Sequence, residues 1–194
     1  MAASARPIPE TPGAVAVYAG VLHQYNPQMP EWQRKDLARH LLDTARRYAI
    51  DPNMLAAIVS VESSWHTHAL SYAGAIGLGQ LMPETAHTLG VNPRDPASNL
   101  EGAAEYLRNL MKTFASNRNR FELVFAAYNA GPKAVIRYGG IPPYGETQHY
   151  VVKVLRAWRY LQTSVHIPTS AMLVAQVPDA RGPDVDYWTN AATR

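Results

Sequence analysis

Apolar residues recur along most of this chain at spacings of three and four, which is typical of amphipathic helices. Between residues 32 and 49, Leu37, Leu41 and Ala45 fall on one face, and most of the arginines fall on the others. Periodicity and start signals together predict helices over residues 12–23, 32–49, 52–64, 83–90, 100–114, 121–130, 132–138 and 146–163. Many short helices with long loops between them predict an all-α domain in which the loops build the site.

Polar residues mark three of the predicted helix starts. Thr11 and Asp51 each precede a proline, an arrangement in which the side chain caps the helix and proline takes its first position. Asn99 is the expected N-cap of the helix that begins at residue 100.

The chain divides into one domain and two flanking segments. Residues 1–10 are rich in Ala and Pro and are expected to be irregular, and residues 11–164 form the domain. Residues 165–194 are expected to be an irregular C-terminal tail, because prolines interrupt them and helical periodicity stops. Within this tail, residues 172–177 offer its one candidate strand.

Composition excludes several classes of function. The 194 residues contain no Cys, so disulfides, thiol nucleophiles and thiolate metal sites are excluded. The formal net charge of +3 comes from scattered Lys and Arg, which argues against a nucleic-acid surface. No stretch approaches the ~20 apolar residues of a membrane span, and no export signal is recognisable. A monomeric domain without a transmembrane segment is expected.

Glu62 is the first candidate for chemistry, because it ends an apolar stripe. Leu55, Ile58 and Val59 precede it at the spacing of a buried helix face, so a core hydrophobe would be expected in its place. Burial favours the neutral carboxyl and would make it a general acid near neutral pH, with activity falling on the alkaline side. The alternative is a fraying helix end with Glu62 turned to solvent.

Four short motifs lie in order along the chain. They are V-E-S-S-W at 61–65, G-L-G-Q-L-M-P at 77–83, A-Y-N-A-G at 127–131 and E-T-Q-H-Y-V at 146–151. In this order and at these separations they closely resemble the catalytic domain of family 1 soluble lytic murein transglycosylases, over roughly residues 49–161. The resemblance implies a lysozyme-like single domain, related to goose-type lysozyme, with many short helices and long cleft-forming loops.

The resemblance also implies an activity on peptidoglycan. The chain would cleave the β-1,4 bond between N-acetylmuramic acid and N-acetylglucosamine without water as the acceptor and leave 1,6-anhydro ends. Glu62 would be the single catalytic residue, first as acid and then as base. The expected partner is the peptidoglycan glycan strand, in the periplasm or cell envelope, with a secretion or conjugation complex as a further candidate.

The same resemblance assigns further residues. The expected substrate-binding residues are Ser71, Gln80, Met82, Tyr128 and Glu146, and the expected supporting residues are Ser63 and Asn129. Each of three has a simpler alternative: Tyr128 as a core residue, Glu146 as an acidic residue favoured at a helix start, and Ser63 as a helix-end hydrogen-bonding group.

The chain departs from the family pattern at three places. Family members often carry Met at Gly79, Asn-Pro at His66-Thr67 and Arg at Gln148. These departures alter the expected loop shape and the fit of the glycan, and the last removes a positive contact to an anionic substrate.

No metal or cofactor is expected. His66 and His68 flank Thr67 but lack a third ligand at a suitable spacing. Trp65, next to the acid, is either a sugar platform or a core residue, and the core is favoured.

Two other functions compete with the transglycosylase. A muramidase would let water attack the muramyl C1, and a peptidoglycan-binding scaffold would keep the fold without catalysis.

Overall fold

Helix α3 lies at the centre of the molecule in the computed structural model, which describes residues 11–165. Within these residues the helices are α1 Pro12–Tyr25, α2 Glu31–Arg47, α3 Pro52–Ser63, α4 Pro83–Thr88, α5 Pro96–Thr113, α6 Arg120–Ala130, α7 Pro132–Tyr138 and α8 Gly145–Ser164. No extended strand occurs among them, only isolated bridges at Leu70, Ile76 and Leu81. The all-α prediction is therefore confirmed for the described part.

The predictions for the two flanking segments concern residues that lie almost entirely outside the described part of the chain. The predicted irregular segment 1–10, nearly all of the tail 165–194 and the candidate strand at 172–177 lie outside the described residues. The domain boundaries consequently stay predictions.

Helix α3 is buried on almost every side, beyond the single stripe that the sequence predicts. Every residue from 52 to 60 is buried, and α3 packs against α8, α2 and α5. A helix that is apolar all round belongs in the interior. Its start is fixed by Asp51, whose carboxylate accepts a hydrogen bond from the Asn53 N–H at 2.9 Å.

Two of the three predicted helix caps are confirmed. Asp51 caps α3, and the Thr11 hydroxyl accepts a hydrogen bond from the Ala14 N–H at 3.2 Å. The third prediction is wrong: α5 is capped by Asp95, which accepts from the Ser98 N–H at 2.8 Å. Asp95 precedes a proline, the same signal as at the other two starts. Asn99 lies inside α5, so its side chain is available for another contact.

The remaining helices extend this core: α1 packs on α2, α6 on α5 and α8, and α7 on α6. Helix α8 packs on both α3 and α6, with Val151, Val154 and Leu161 buried. The Trp158 ring meets Phe121 edge-on, with ring centroids 4.9 Å apart. This packing holds the start of α8 beside the end of α3, where Glu62 lies. In residues 11–165 no helix is both long and apolar enough to cross a membrane.

Candidate active site

Glu62 lies in the last turn of α3, one residue before the helix ends at Ser63. Ser64 and Trp65 follow it with positive φ angles of 48° and 63°, which end the helix abruptly. Its Oε1 accepts a hydrogen bond from the Tyr150 hydroxyl on α8 at 2.6 Å. The side chain is thus held between two helices, and the alternative of a frayed, solvent-turned carboxylate is not what the structure shows.

The surroundings of Glu62 favour its neutral form. Burial raises the pKa of its carboxyl to about 7, and the hydrogen bond from Tyr150 works against this by stabilising the carboxylate. The negative charge of Glu146 adds to the upward shift. A carboxyl with this pKa holds its proton in about half of the molecules near neutrality and can therefore deliver or accept one.

A cleft of about 830 Å³ opens beside Glu62. Its walls come from the segment after α3 and from the corner between α1 and α2, namely Ser63–Ser71, Gln80, Asn26, Gln28–Pro30 and Gln33. Glu62 is the one carboxylate among these described lining residues. Asn26 ties the two walls together, because its amide donates to the Trp65 carbonyl at 3.3 Å.

Two predicted sugar-contacting residues, Ser71 and Gln80, line this cleft. The Ser71 hydroxyl accepts a hydrogen bond from the Ala75 N–H at 2.9 Å and so closes a turn of the loop. The Gln80 amide nitrogen donates to the carbonyls of Gly77, at 2.9 Å, and Ala69, at 3.3 Å. Both side chains therefore shape the cleft wall as well as face the cleft.

The loop 69–81 is fixed from below by Asn99, a residue that the sequence analysis assigned to a helix cap. Its Oδ1 accepts from the Gly79 N–H at 2.7 Å, and its Nδ2 donates to the carbonyls of Ile76 and Pro93 at 2.8 and 2.9 Å. The Asn99 side chain is fully buried. The contact between Asn99 and the loop cannot be predicted from a local sequence pattern, because it joins residues about twenty positions apart.

Gly79 has no room for a side chain. A Cβ placed there would lie 2.5 Å from the Ala103 Cβ and 3.0 Å from the Tyr128 hydroxyl. The departure from the Met that is frequent at this position thus has a local physical reason. In this chain α5 and Tyr128 occupy the space that a side chain would need.

Tyr128, which is expected either to bind the substrate or to lie in the core, contacts the loop 69–81. The hydroxyl donates to the Gly79 carbonyl at 2.9 Å, and the ring is buried against Tyr106. The pKa of Tyr128 is raised, chiefly by burial and also by the charge of Glu62. The hydrogen bond to the Glu62 carboxyl comes from Tyr150.

Tyr150 is the site residue that the sequence analysis missed. It lies within the fourth motif and is 7% exposed. Burial and the nearby charge of Glu62 both raise its pKa, so it stays protonated and donates. A signal was present: Tyr150 precedes the core residues Val151 and Val154 and adds a polar group to a buried face, as Glu62 does on α3.

Met82 and Glu146 lie outside the described cleft lining. Glu146 is exposed in the first turn of α8, and its contribution to the site is the charge that raises the pKa of Glu62. Met82 is 44% exposed immediately before α4, with its side chain available to a ligand.

The two expected supporting residues act on the backbone framework. Asn129 accepts a hydrogen bond from the buried Thr147 hydroxyl at 2.7 Å and so joins the end of α6 to the start of α8. The Ser63 hydroxyl donates to the Val59 carbonyl and accepts from the Trp65 N–H, both at 3.2 Å. Neither hydrogen bond involves Glu62. In this structure the Ser63 side chain therefore acts as a hydrogen-bonding group at the end of α3.

Trp65 belongs to the core, as predicted. It is fully buried, and its indole N–H donates to the Ser60 hydroxyl at 2.9 Å. The nearby His66 is hydrogen-bonded through Nδ1 to the Ser63 carbonyl at 2.9 Å. Over residues 11–165 no three His, Asp or Glu side chains converge as a metal site would require.

The chain is similar in sequence to proteins of known family. The family model described as Transglycosylase SLT domain matches residues 41–151. Membrane-bound lytic murein transglycosylase C of Haemophilus influenzae is 36% identical over 110 residues, which are 48% of this chain and 30% of that protein. Membrane-bound lytic murein transglycosylase F of Cellvibrio japonicus is 29% identical over 167 residues, 80% of this chain and 32% of that protein.

A solved structure is similar in fold. The 70 kDa soluble lytic transglycosylase of Escherichia coli aligns with a TM-score of 0.54 and 25% identity, over 77% of this chain and 30% of that one. This likeness confirms the predicted lysozyme-like fold. The chain spans about 30% of the length of these proteins. Because the family model covers more than half of the sequence, the chain belongs to the transglycosylase SLT domain family.

Proposed function

We propose that this domain is a lytic transglycosylase, a lyase that cleaves the β-1,4 bond between N-acetylmuramic acid and N-acetylglucosamine in peptidoglycan. The observation that carries the proposal is the raised pKa of Glu62, about 7, at the wall of an 830 Å³ cleft. Membership of the SLT family and the names of the curated relatives, which are lytic murein transglycosylases, support the substrate class.

Glu62 acts first as the acid. Its neutral carboxyl gives a proton to the glycosidic oxygen, the bond from that oxygen to the muramyl C1 breaks, and N-acetylglucosamine leaves with a new hydroxyl. Positive charge develops at C1. Tyr150 holds the carboxyl in place, and its hydrogen bond is stronger once Glu62 is a carboxylate, because the acceptor is then charged.

Glu62 then acts as the base. Its carboxylate takes the proton of the muramyl C6 hydroxyl, whose oxygen bonds to C1 and closes a 1,6-anhydro ring. The carboxyl is neutral again, and no water is consumed. This use of one carboxyl group fits a cleft in which Glu62 is the one described carboxylate, whereas most glycosidases place a pair of carboxylates across the bond.

The other residues position the glycan. Gln80 and Ser71 lie at the cleft wall, and Met82 offers an exposed apolar side chain for sugar packing. Tyr128 holds the Gly79 carbonyl and with it the loop that carries Gln80. Glu146 keeps the proton on Glu62 by repulsion, and Asn129 and Ser63 support the helix ends at the site.

The natural setting of this reaction is the cell envelope, where peptidoglycan lies. The names of the relatives, membrane-bound murein transglycosylases, support this location. A secretion or conjugation complex as a further partner stays a hypothesis.

Mass spectrometry of the fragments released from purified peptidoglycan tests the proposed reaction. Products lighter by one water than the hydrolytic ones are expected, because the C6 hydroxyl takes the place of water at C1. Full-mass reducing products would contradict the proposal and make the domain a muramidase. Binding of peptidoglycan without release of fragments would indicate the non-catalytic scaffold.

A further inference from the structure

A second pocket, of about 560 Å³, lies at the opposite end of α3 from Glu62. It forms where the starts of α3 and α6 meet the second halves of α5 and α8. Its apolar lining residues are Ile50, Met54, Met111, Phe121, Val124 and Trp158. Asp51 at the pocket and Glu62 at the cleft are separated by the length of α3, about 16 Å at 1.5 Å per residue. The pocket is therefore distinct from the active site.

Three cationic side chains, Arg108, Lys112 and Arg120, also line this pocket. Each is partly buried, and within residues 11–165 none of them pairs with a carboxylate. The Arg120 guanidinium lies over the Phe121 ring, 4.7 Å from its centroid. Partly buried cations above an apolar floor favour a ligand that brings both negative charge and apolar surface.

Among the described residues that line the pocket, Asp51 is the one carboxylate, and its oxygens already have partners. Asp51 accepts hydrogen bonds from the Asn53 N–H at 2.9 Å and from the Trp158 indole N–H at 2.7 Å. It therefore caps α3 and orients the indole, and it does not neutralise the three cations. The positive charge of the pocket is left for another anion.

A segment of the same chain has the matching chemistry. Residues 184–188 read Asp-Val-Asp-Tyr-Trp, with two carboxylates beside three apolar or aromatic side chains. Gln162 lines the pocket and lies three residues before Val165, the last residue that the structure describes. Eighteen residues, 166–183, then precede Asp184. Eighteen residues can reach at most about 60 Å, which is long enough for Asp184 to return to the pocket.

We propose that the pocket binds the acidic aromatic segment 184–188 of its own chain. The carboxylates of Asp184 and Asp186 pair with the pocket cations, and an aromatic side chain of the segment covers the floor around Trp158. Linkage through the same chain favours this occupant, because it gives the segment an effective concentration on the order of millimolar. The interaction joins the C-terminal segment to the ends of α3 and α8 that lie away from the cleft.

Carbodiimide coupling of the full chain, followed by peptide mass spectrometry, tests the pairing directly. This reagent joins an amine to a carboxylate only where the two are in contact. A bond between Lys112 and Asp184 or Asp186 is expected in the monomer. The ion pair of Lys35 with Glu31, at 2.6 Å, supplies an internal positive control.

Charge reversal shows whether the pocket is responsible. The double variant Arg108→Glu/Arg120→Glu keeps Lys112, and we expect it to lower the crosslink yield at least about fivefold, since two half-exposed ion pairs are lost. Arg118→Glu is the matched control, because Arg118 is exposed nearby and does not line the pocket. Its crosslink yield should equal that of the unchanged chain.

A second readout uses the tail side and does not depend on Lys112. In the variant Asp184→Asn/Asp186→Asn, amide hydrogen exchange should become faster over residues 108–121, which border the pocket. Three results would overturn the proposal. The first is that the Lys35–Glu31 crosslink forms but no crosslink joins Lys112 to the segment 184–188. The second is a crosslink between Lys112 and this segment that occurs only in dimers, and the third is a crosslink yield that does not change when Arg108 and Arg120 are replaced by Glu.

Discussion

At the scale of single residues, two neighbours act in opposite directions on the proton of Glu62. The Tyr150 hydroxyl, 2.6 Å away, stabilises the carboxylate and lowers the pKa, while the charge of Glu146 destabilises the carboxylate and raises it. In the proposed reaction Glu62 begins protonated, so activity is expected to fall as the pH rises through about 7. Each neighbour should therefore change the pH at which activity falls on the alkaline side, which we call the alkaline limit.

Substitution of the two neighbours should therefore shift the pH profile in opposite directions. Tyr150→Phe removes the hydrogen bond and should move the alkaline limit upward, whereas Glu146→Gln removes the repulsion and should move it downward. The measurement is the rate of fragment release from peptidoglycan across pH. Glu122→Gln, on the first turn of α6, is the control and should leave the limit in place. Shifts of the same sign in both variants would contradict this electrostatic account.

Glu62 is recognisable as a candidate from the sequence, because a carboxylate at the end of an apolar stripe is a local signal. The contact of Tyr150 with Glu62 is not recognisable in this way, because the partner of a core-facing tyrosine depends on which helix packs against it. Here that partner lies 88 residues earlier in the chain. The same limit applies to Tyr128, whose hydroxyl bonds to the carbonyl of Gly79 across 49 positions.

At the scale of elements, the cleft loop depends on α5 for its shape. Asn99 makes three hydrogen bonds to the backbone of Gly79, Ile76 and Pro93 from a fully buried position. Asn99→Ala should destabilise the protein by about 2–4 kcal/mol, because buried backbone groups lose their partners. It should also slow fragment release by at least about tenfold, since the loop that carries Gln80 is displaced.

Urea unfolding and the release assay check this prediction, with Asn109→Ala as control. Asn109 lies on the same helix, is only partly buried and makes no side-chain hydrogen bond to the loop in the described structure. It should change both measurements little. Equal losses of stability in the two variants would show that Asn99 is not the anchor.

Element positions were largely predictable, because proline-led caps and apolar stripes are local signals. The predicted start of α5 is wrong: the helix is capped by Asp95, whereas the sequence pattern was interpreted as a cap at Asn99. The anchoring of the loop was not predictable, because Asn99 bonds to it only after α5 has packed beneath it. Gly79 illustrates the same point, as its close neighbours Ala103 and Tyr128 come from two other helices.

At the scale of the whole molecule, keeping Glu62 inside the fold has an energetic cost that depends on pH. Its folded pKa, about 7, lies above the ordinary value of 4.5, so the folded state binds more protons than the unfolded state between these two pH values. The contribution of Glu62 to the stability of the fold must therefore decrease as the pH rises from about 4.5 to about 7 and stay reduced above that. Below about pH 4.5 the cost is absent.

Glu62→Gln should remove this cost while keeping an oxygen that can accept from Tyr150. The variant should be more stable than the unchanged protein by about 1–3 kcal/mol at about pH 8, and nearly equal to it at about pH 4. Thermal or urea unfolding of both proteins at the two pH values is the measurement. A stability difference that does not change with pH would contradict the raised pKa.

In the proposed mechanism Glu62 alone supplies and removes the proton in glycan cleavage. The most direct test compares fragment release from purified peptidoglycan by the unchanged protein and by Glu62→Gln, with folding of both confirmed by circular dichroism. We expect the variant to be slower by at least about a hundredfold at every pH, since general acid and base catalysis are both lost. A folded Glu62→Gln protein that still releases anhydro fragments at a comparable rate would contradict the claim.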